Sequence, residues 1–242
     1  MSSGARWGAW ATLGWSVAIM AAFALVQFAV FRFHLAAAVA AGADAGSAAR
    51  RLPYDGDVIA AATLVTALLG VPLVVGVMKL KRGSRLADYL PLHPPARRVL
   101  LGWLGITAVA LAASDLASWL LGRPLVPEVM QAVYASADRP LLLVAALVLA
   151  APLFEEVLFR GFLLAGLVRS RLGPAGSVAL SAAAWAALHL QYDWYGITTI
   201  VVFGLLLGAA RVHAGTVLVP LVLHAGANAL ATLETALLAG TG

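Results

Sequence analysis

Seven apolar stretches, separated by short polar segments, form the main pattern along this chain. A helix that crosses a membrane needs about 20 mostly apolar residues, and most of these stretches reach or approach that length. We therefore predict an all-α, polytopic transmembrane bundle of about seven helices. The stretches are Trp7–Leu35, Val58–Met78, Val99–Leu121, Leu141–Val168, Pro174–Leu190, Gly196–Ala210 and Thr216–Leu238.

The segments at the ends of these stretches refine the prediction. The first stretch is too long for the apolar core of a signal peptide, so we expect a retained helix. The connection Gly122–Pro140 is predicted to contain a short helix at the membrane interface. The loop Gln191–Tyr195 holds two tyrosines and a tryptophan, which are typical of the membrane–water boundary.

Composition supports a membrane protein and excludes several other classes. Of the 242 residues, 62% are hydrophobic and 11% are charged, whereas an ordinary soluble domain carries about 25% charged residues. A disordered chain is excluded because disorder needs low hydrophobicity. The chain has no cysteine, which excludes disulfides, a thiolate nucleophile and cysteine-ligated metal sites.

The net charge of +5 is explained by orientation in the membrane, so we expect no nucleic-acid partner. Basic residues lie mostly between the apolar stretches and are densest from Lys79 to Arg98. The positive-inside rule puts such loops in the cytoplasm. With seven helices, an N-terminus in the cytoplasm also puts Arg6, Arg169 and Arg211 on that side. We therefore predict a multi-pass protein of the cell (inner) membrane.

The strongest chemical feature is Glu155-Glu156-Val157-Leu158-Phe159-Arg160 in the fourth stretch. An ionised group at bilayer depth costs about 2.5–3.5 kcal/mol, so intramembrane charges are functional candidates. Glu156 and Arg160 are four residues apart and share a helix face, which leaves Glu155 without a local partner. A desolvated carboxylate is suited to abstracting a proton. The alternative is a purely structural ion-pair cluster.

Three further polar residues are predicted at similar membrane depth. His224 and Asn228 are four apart and could both donate to one point, as an oxyanion requires, or could instead form a helix–helix hydrogen bond. His189 follows Trp185 by four residues near the end of the fifth stretch and could simply be a packed residue. At 1.5 Å per residue, Glu155, His189 and His224 lie roughly 20, 24 and 14 Å from the cytoplasmic side.

The order of these motifs resembles that of the CPBP family, the CAAX proteases and bacteriocin-processing enzymes, also called the ABI family. The family pattern of E-E-x-x-x-R, F-x-x-x-H and H-x-x-x-N/D is similar to Glu155–Arg160, Trp185–His189 and His224–Asn228. Its eukaryotic relative is the type II CAAX prenyl endopeptidase. Trp185 stands where the family usually has Phe. We divide the chain into residues 1–140, helices without a recognisable motif, and residues 141–242, the CPBP-type catalytic core.

The resemblance implies a role for each residue. Glu155 resembles the general base that activates water, and His189 resembles the group that holds that water. His224 and Asn228 resemble the oxyanion hole, and Glu156 and Arg160 resemble a supporting pair. We expect no cofactor. The alternative is a zinc site formed by Glu155, His189 and His224. No G-x-S-x-G and no H-E-x-x-H sequence is present, so glutamate and histidine must carry any hydrolysis.

The leading functional hypothesis is an intramembrane endopeptidase that cuts a membrane-associated protein or peptide near the cytoplasmic leaflet. A non-catalytic scaffold or immunity-type protein of the same fold is the alternative, although it would have no reason to keep four buried polar groups. A proton-coupled transporter is disfavoured because the sequence shows no repeated halves. Neither the substrate, prenylated or not, nor an oligomeric state follows from the sequence.

Overall fold

The computed structural model describes residues 6–239, and these fold almost entirely into helices without any strand. The all-α bundle predicted from the apolar stretches is confirmed. Ten helices occur in the described part of the chain: α1 (Ala9–Ala40), α2 (Ala45–Arg51), α3 (Gly56–Leu80), α4 (Leu86–Tyr89), α5 (Arg97–Leu120), α6 (Glu128–Ala135), α7 (Pro140–Leu167), α8 (Gly173–Ala186), α9 (Trp194–Ala214) and α10 (Leu218–Ala239).

Every predicted apolar stretch forms a helix, and the short helix expected in the Gly122–Pro140 connection is α6. The fifth and sixth helices differ from the prediction in length. The Asp193 side chain accepts a hydrogen bond from the Gly196 amide and so starts α9 early, as an N-cap does. Gly215, with a φ of 70°, ends α9 late. The fifth helix ends at Ala186, so His189 lies in the turn beyond it.

Five of the helices within residues 6–239 are long and apolar enough to span a membrane: α1, α3, α5, α7 and α9. The chain is therefore a multi-pass membrane protein, and the other two predicted stretches, α8 and α10, are not among these five. The 14 residues of α8 extend only about 21 Å, less than the ~30 Å hydrocarbon core. The 22-residue α10 is long enough, but it carries His224, Asn228 and Glu234.

The central helix of the bundle is α7, which packs against α1, α3, α8, α9 and α10. Its hydrogen bonding changes twice to the wider π spacing, over Ala146–Ala150 and over Glu156–Leu163. All eight residues of the second π segment are buried. Such segments are rare and occur frequently at functional sites. The paired glutamates therefore lie at the α/π junction of the most buried helix.

The close approach of α8 and α9 depends on Gly204. A Cβ atom on this residue would lie 3.0 Å from the Ala182 Cβ and 3.1 Å from the Trp185 ring. Small residues let membrane helices pack with their backbones close together. Gly204 thereby brings its own carbonyl and the Trp185 indole to the buried face of α7.

Candidate active site

A buried ion pair lies at the centre of the bundle. The Arg160 Nη1 atom donates to Oε1 of Glu156 at 3.0 Å, and neither side chain is exposed to solvent. The second terminal nitrogen of Arg160, Nη2, donates to the Gly204 carbonyl at 3.3 Å. Because a buried charge needs both a counter-ion and hydrogen-bond partners, these contacts fix α7 to α9 in one arrangement.

His224 lies between the two adjacent glutamates. Its Nδ1 is 2.9 Å from Glu156 Oε1, and an ionised carboxylate only accepts, so Nδ1 carries the proton. The other ring nitrogen, Nε2, lies 3.7 Å from Glu155 Oε2. That distance is too long for a direct hydrogen bond and is suited to a bridging group. Glu156 thus orients the imidazole so that its Nε2 faces Glu155.

Trp185 connects the remaining site residues. Its indole Nε1 donates a 2.5 Å hydrogen bond to Glu155 Oε2, and the guanidinium of Arg160 lies 4.8 Å from the centre of its ring. The rings of His189 and His224 meet the indole edge-on, with centroids 5.0 and 5.1 Å away. The glutamate, the arginine and both histidines therefore contact one aromatic side chain.

His189 is held by the backbone of the turn that ends α8. Its Nδ1 lies 3.0 Å from the Trp185 carbonyl oxygen, and a carbonyl only accepts, which assigns the proton to Nδ1. The other nitrogen, Nε2, is then an acceptor. The side chain is half-buried, so this acceptor remains available to a water molecule or a substrate.

The structure directs Asn228 away from Glu155. Its Nδ2 donates to the Leu147 carbonyl at 2.8 Å, inside the first π segment of α7 and eight residues before Glu155. His224 and Asn228 share a face of α10, as the spacing predicts, but the α7 residues that they contact, Glu156 and Leu147, lie about two turns apart. Because α10 runs antiparallel to α7, the residue four positions after His224 contacts an earlier part of α7.

The glutamates and histidines do not form a three-ligand metal site in this arrangement. Among the described residues, no group of three His, Cys, Asp or Glu side chains is placed to hold a metal ion. Nδ1 of each histidine is bonded, to Glu156 and to the Trp185 carbonyl, which leaves the two Nε2 atoms as the free nitrogens. The zinc set Glu155, His189 and His224 stays a prediction, and we assign no step to a metal.

The sequence motifs do not identify two further residues of this site. Trp185 stands at a position that the family usually fills with Phe, and the only sequence signal for a role in the site is that a buried indole N–H usually needs an acceptor. Tyr192 lies in the loop after α8, where burial, and secondarily the charge of Glu155, raise the pKa of its hydroxyl. Nothing in the spacing along the chain indicated that this loop folds towards Glu155.

Residues 137–230 match the family model described as Type II CAAX prenyl endopeptidase Rce1-like. The matched segment contains α7, α8, α9 and most of α10, and with them all six predicted site residues. The resemblance drawn from the three motifs is confirmed over this segment, and the match supports an intramembrane endopeptidase of the CAAX type in general. No curated protein and no solved structure gave a match to the chain.

Proposed function

We propose that this protein is an intramembrane endopeptidase that hydrolyses a peptide bond with a water molecule activated by Glu155. The single observation that carries this proposal is the position of Glu155. Its Oε2 accepts from Trp185 Nε1 and lies 3.7 Å from Nε2 of His224. A proposed base and a proposed electrophilic group thus lie next to each other in the bundle core.

Glu155 is suited to the role of base because one of its oxygens is free to act. Oε2 accepts from Trp185, while Oε1 has no hydrogen-bond partner within the described residues. The side chain is 16% exposed, whereas Glu156 is fully buried. In the proposed reaction, Oε1 takes a proton from water as the water oxygen bonds to the carbonyl carbon of the substrate. Correct positioning of such a base contributes about 10²–10⁴-fold to a rate.

His224 is proposed to stabilise the negative charge that forms on the carbonyl oxygen. As the water oxygen adds, the carbonyl π electrons move to this oxygen. His224 is proposed to be doubly protonated at this step, so that Nδ1 donates to Glu156 while Nε2 donates to the new oxyanion. When the carbon–nitrogen bond breaks, the proton held by Glu155 passes to the leaving amine. Glu156 keeps the imidazole in place throughout, as carboxylates do for functional histidines.

His189 and Asn228 are assigned supporting roles. The free Nε2 of His189 accepts a hydrogen bond from the attacking water and orients it. Asn228, which binds the Leu147 carbonyl, is proposed as a positioning residue that sets how α10 lies along α7. This assignment differs from the oxyanion role that the family resemblance implies for Asn228. No metal is needed in this reaction.

The proposed substrate is a membrane-associated protein or peptide, and the proposed location is the cell (inner) membrane with a cytoplasmic N-terminus. Arg6 before α1, the Lys79–Arg98 segment, and Arg169 and Arg171 after α7 lie at alternate helix ends. The positive-inside rule places these ends in the cytoplasm. Cleavage is therefore expected in segments that enter the bilayer from the cytoplasmic leaflet.

The test compares membrane peptides from cells that produce either the wild-type protein or Glu155→Gln. We expect uncleaved precursors to accumulate with Glu155→Gln, and purified wild-type protein in liposomes to cut these precursors. Glu234→Gln is the matched control, because Glu234 is also a membrane glutamate but lies away from the site on α10. Identical peptide sets for the wild type and Glu155→Gln would exclude the proposed mechanism and favour a non-catalytic scaffold.

A further inference from the structure

Three arginines, Arg6, Arg169 and Arg211, lie at the end of the bundle where α7 ends, about ten residues along that helix from Glu155. Arg6 Nη1 donates to the carbonyl of Ala165, in the last turn of α7, at 3.0 Å. Arg169 follows the end of α7 by two residues. Arg6 interacts electrostatically with both Arg169 and Arg211, so it lies within range of each of the other two guanidinium groups.

Arg211 is brought to the same end by the packing of α8 against α9. Gly204 lies against Ala182, and a Cβ atom on Gly208 would lie 2.8 Å from Val178. Between these two contacts the chain moves four residues forward on α9 and four residues back on α8, so the helices are antiparallel. Three residues further along α9, the same pairing places Arg211 beside the first turn of α8, which begins at Gly173. The N-terminal end of a helix adds partial positive charge to the same place.

Arg211 has no ion-pair partner in the described part of the chain, and a single carboxylate acts on Arg6. Arg211 is 9% exposed, its Nε is buried without a partner, and its guanidinium forms no ion pair or hydrogen bond within residues 6–239. The carboxylate of Asp88 acts on Arg6, but it also contacts Arg85 at 3.7 Å. One shared carboxylate does not balance three guanidinium groups.

Burial of an unpaired cation is costly, and repulsion between neighbouring cations adds to that cost. The C-terminal end of α9 favours a positive charge at Arg211. It does not offset the further positive charges of Arg6 and Arg169. Burial, together with the charge of Arg169, lowers the pKa of Arg6. An anion placed among the three groups would remove both costs. Arginine binds phosphate oxygens in particular, because its planar fork matches them in a bidentate geometry.

We propose that Arg6, Arg169 and Arg211 form a binding site for a phosphate group at this end of the bundle. Two sources can supply such a group, the headgroup of an anionic phospholipid and soluble inorganic phosphate. The proposal concerns binding alone, so it stands or fails independently of the proposed peptidase reaction.

The experiment measures the melting temperature of the purified full-length protein in neutral detergent. The titrants are short-chain phosphatidic acid, inorganic phosphate, and phosphatidylcholine with the same acyl chains. Native mass spectrometry counts the bound molecules. We expect phosphatidic acid to raise the melting temperature and phosphatidylcholine to leave it unchanged. A shift with inorganic phosphate alone would also support the site and would identify a soluble anion as its occupant.

The variants are Arg211→Gln and Arg6→Gln, each compared with Arg51→Gln as a matched control. Arg51 is the exposed last residue of α2, which follows the end of α1 that lies away from Arg6. Losing a charge-assisted hydrogen bond should weaken the apparent affinity by at least about tenfold in the first two variants. Arg51→Gln should bind like the wild type. The absence of any shift with either phosphate compound, or an undiminished shift in both site variants, would overturn the proposal.

Discussion

The indole Nε1–H of Trp185 donates a 2.5 Å hydrogen bond to Oε2 of Glu155, so an aromatic residue of α8 holds the carboxylate that we propose as the base. The usual phenylalanine at this motif position has no N–H group. The tryptophan therefore adds a contact to the site in addition to filling the same space.

Trp185→Phe separates these two contributions. The variant keeps an aromatic ring between His189 and His224 but removes the donor to Glu155. A hydrogen bond to a charged group is worth about 1.5–3 kcal/mol, so we expect kcat to fall about 10- to 100-fold. Cleavage of a membrane reporter in liposomes measures the rate. Trp185→Leu, which also loses the ring, should be slower still, and a Phe variant with wild-type kcat would exclude the hydrogen bond from catalysis.

Glu155 and His224 are expected to act as one unit. Glu155→Gln should lower kcat by about 10²–10⁴-fold, and His224→Ala by about 10²–10³-fold. Because residues of one catalytic unit are strongly non-additive, the double variant should be scarcely slower than the worse single variant. Rates from the same liposome assay, with thermal melting as the folding control, test this. Multiplicative losses would show that the two residues act in separate steps.

Glu156→Gln should destabilise the fold as well as reduce activity. The change leaves Arg160 buried without its counter-ion and weakens the orientation of His224. Removing one partner of a buried pair typically costs about 3–5 kcal/mol. Arg85→Gln is the control, since that guanidinium is 85% exposed in its pair with Asp88 and should matter by less than about 1 kcal/mol. Equal denaturation midpoints for both variants would contradict the buried pair.

Asp193 should stabilise the protein at neutral pH but not in acid. The Gly196 amide, and secondarily Arg123, lower the pKa of Asp193 below its ordinary value of 3.8. A lowered pKa in the folded state gives stability that is present above pH 3.8 and is lost as the pH falls through the lower, folded-state value. Asp193→Ala should therefore melt earlier than the wild type at pH 7, and the difference should close in strong acid. A constant difference across pH would show that the carboxylate charge is irrelevant.

Reporter fusions test the proposed orientation. A reporter inserted after Arg85 should be cytoplasmic, and one fused to the C-terminus should lie outside, because the basic loops favour the cytoplasm. Protease accessibility of both fusions in intact cells and in inverted vesicles provides the measurement. Detection of both reporters on the same side would mean that the short α8, or another helix, does not cross.

The sequence predicted the helices well because each depends on a local run of apolar residues. It also predicted the pairing of Glu156 with Arg160 along one helix, since four-residue spacing is a local property. For the motif residues on separate helices, only the estimated membrane depths and the family resemblance indicated that they lie together. Residue spacing therefore predicts contacts within one helix well and contacts between helices poorly.

The features that were missed all depend on how two helices meet. The contact of Trp185 with Glu155 and the bond from Asn228 to Leu147 require the relative rotation and direction of α7, α8 and α10.

The end of α8 at Ala186 and the start of α9 at its Asp193 cap are not marked by hydrophobicity, because Leu188 and Leu190 continue the apolar run between them. The fifth predicted stretch therefore forms a helix of only 14 residues.

The position of His224 on the last helix has a consequence for biosynthesis. Membrane helices are made in chain order, so Glu155, Glu156 and Arg160 enter the bilayer before α10 exists. Until α10 packs, Glu156 has only Arg160 as its partner. His224, the proposed hydrogen-bond donor to the oxyanion, is absent from the site during this time. A nascent or truncated chain therefore holds the proposed base without the proposed electrophile, and under the proposed mechanism it would become active only after α10 has been made.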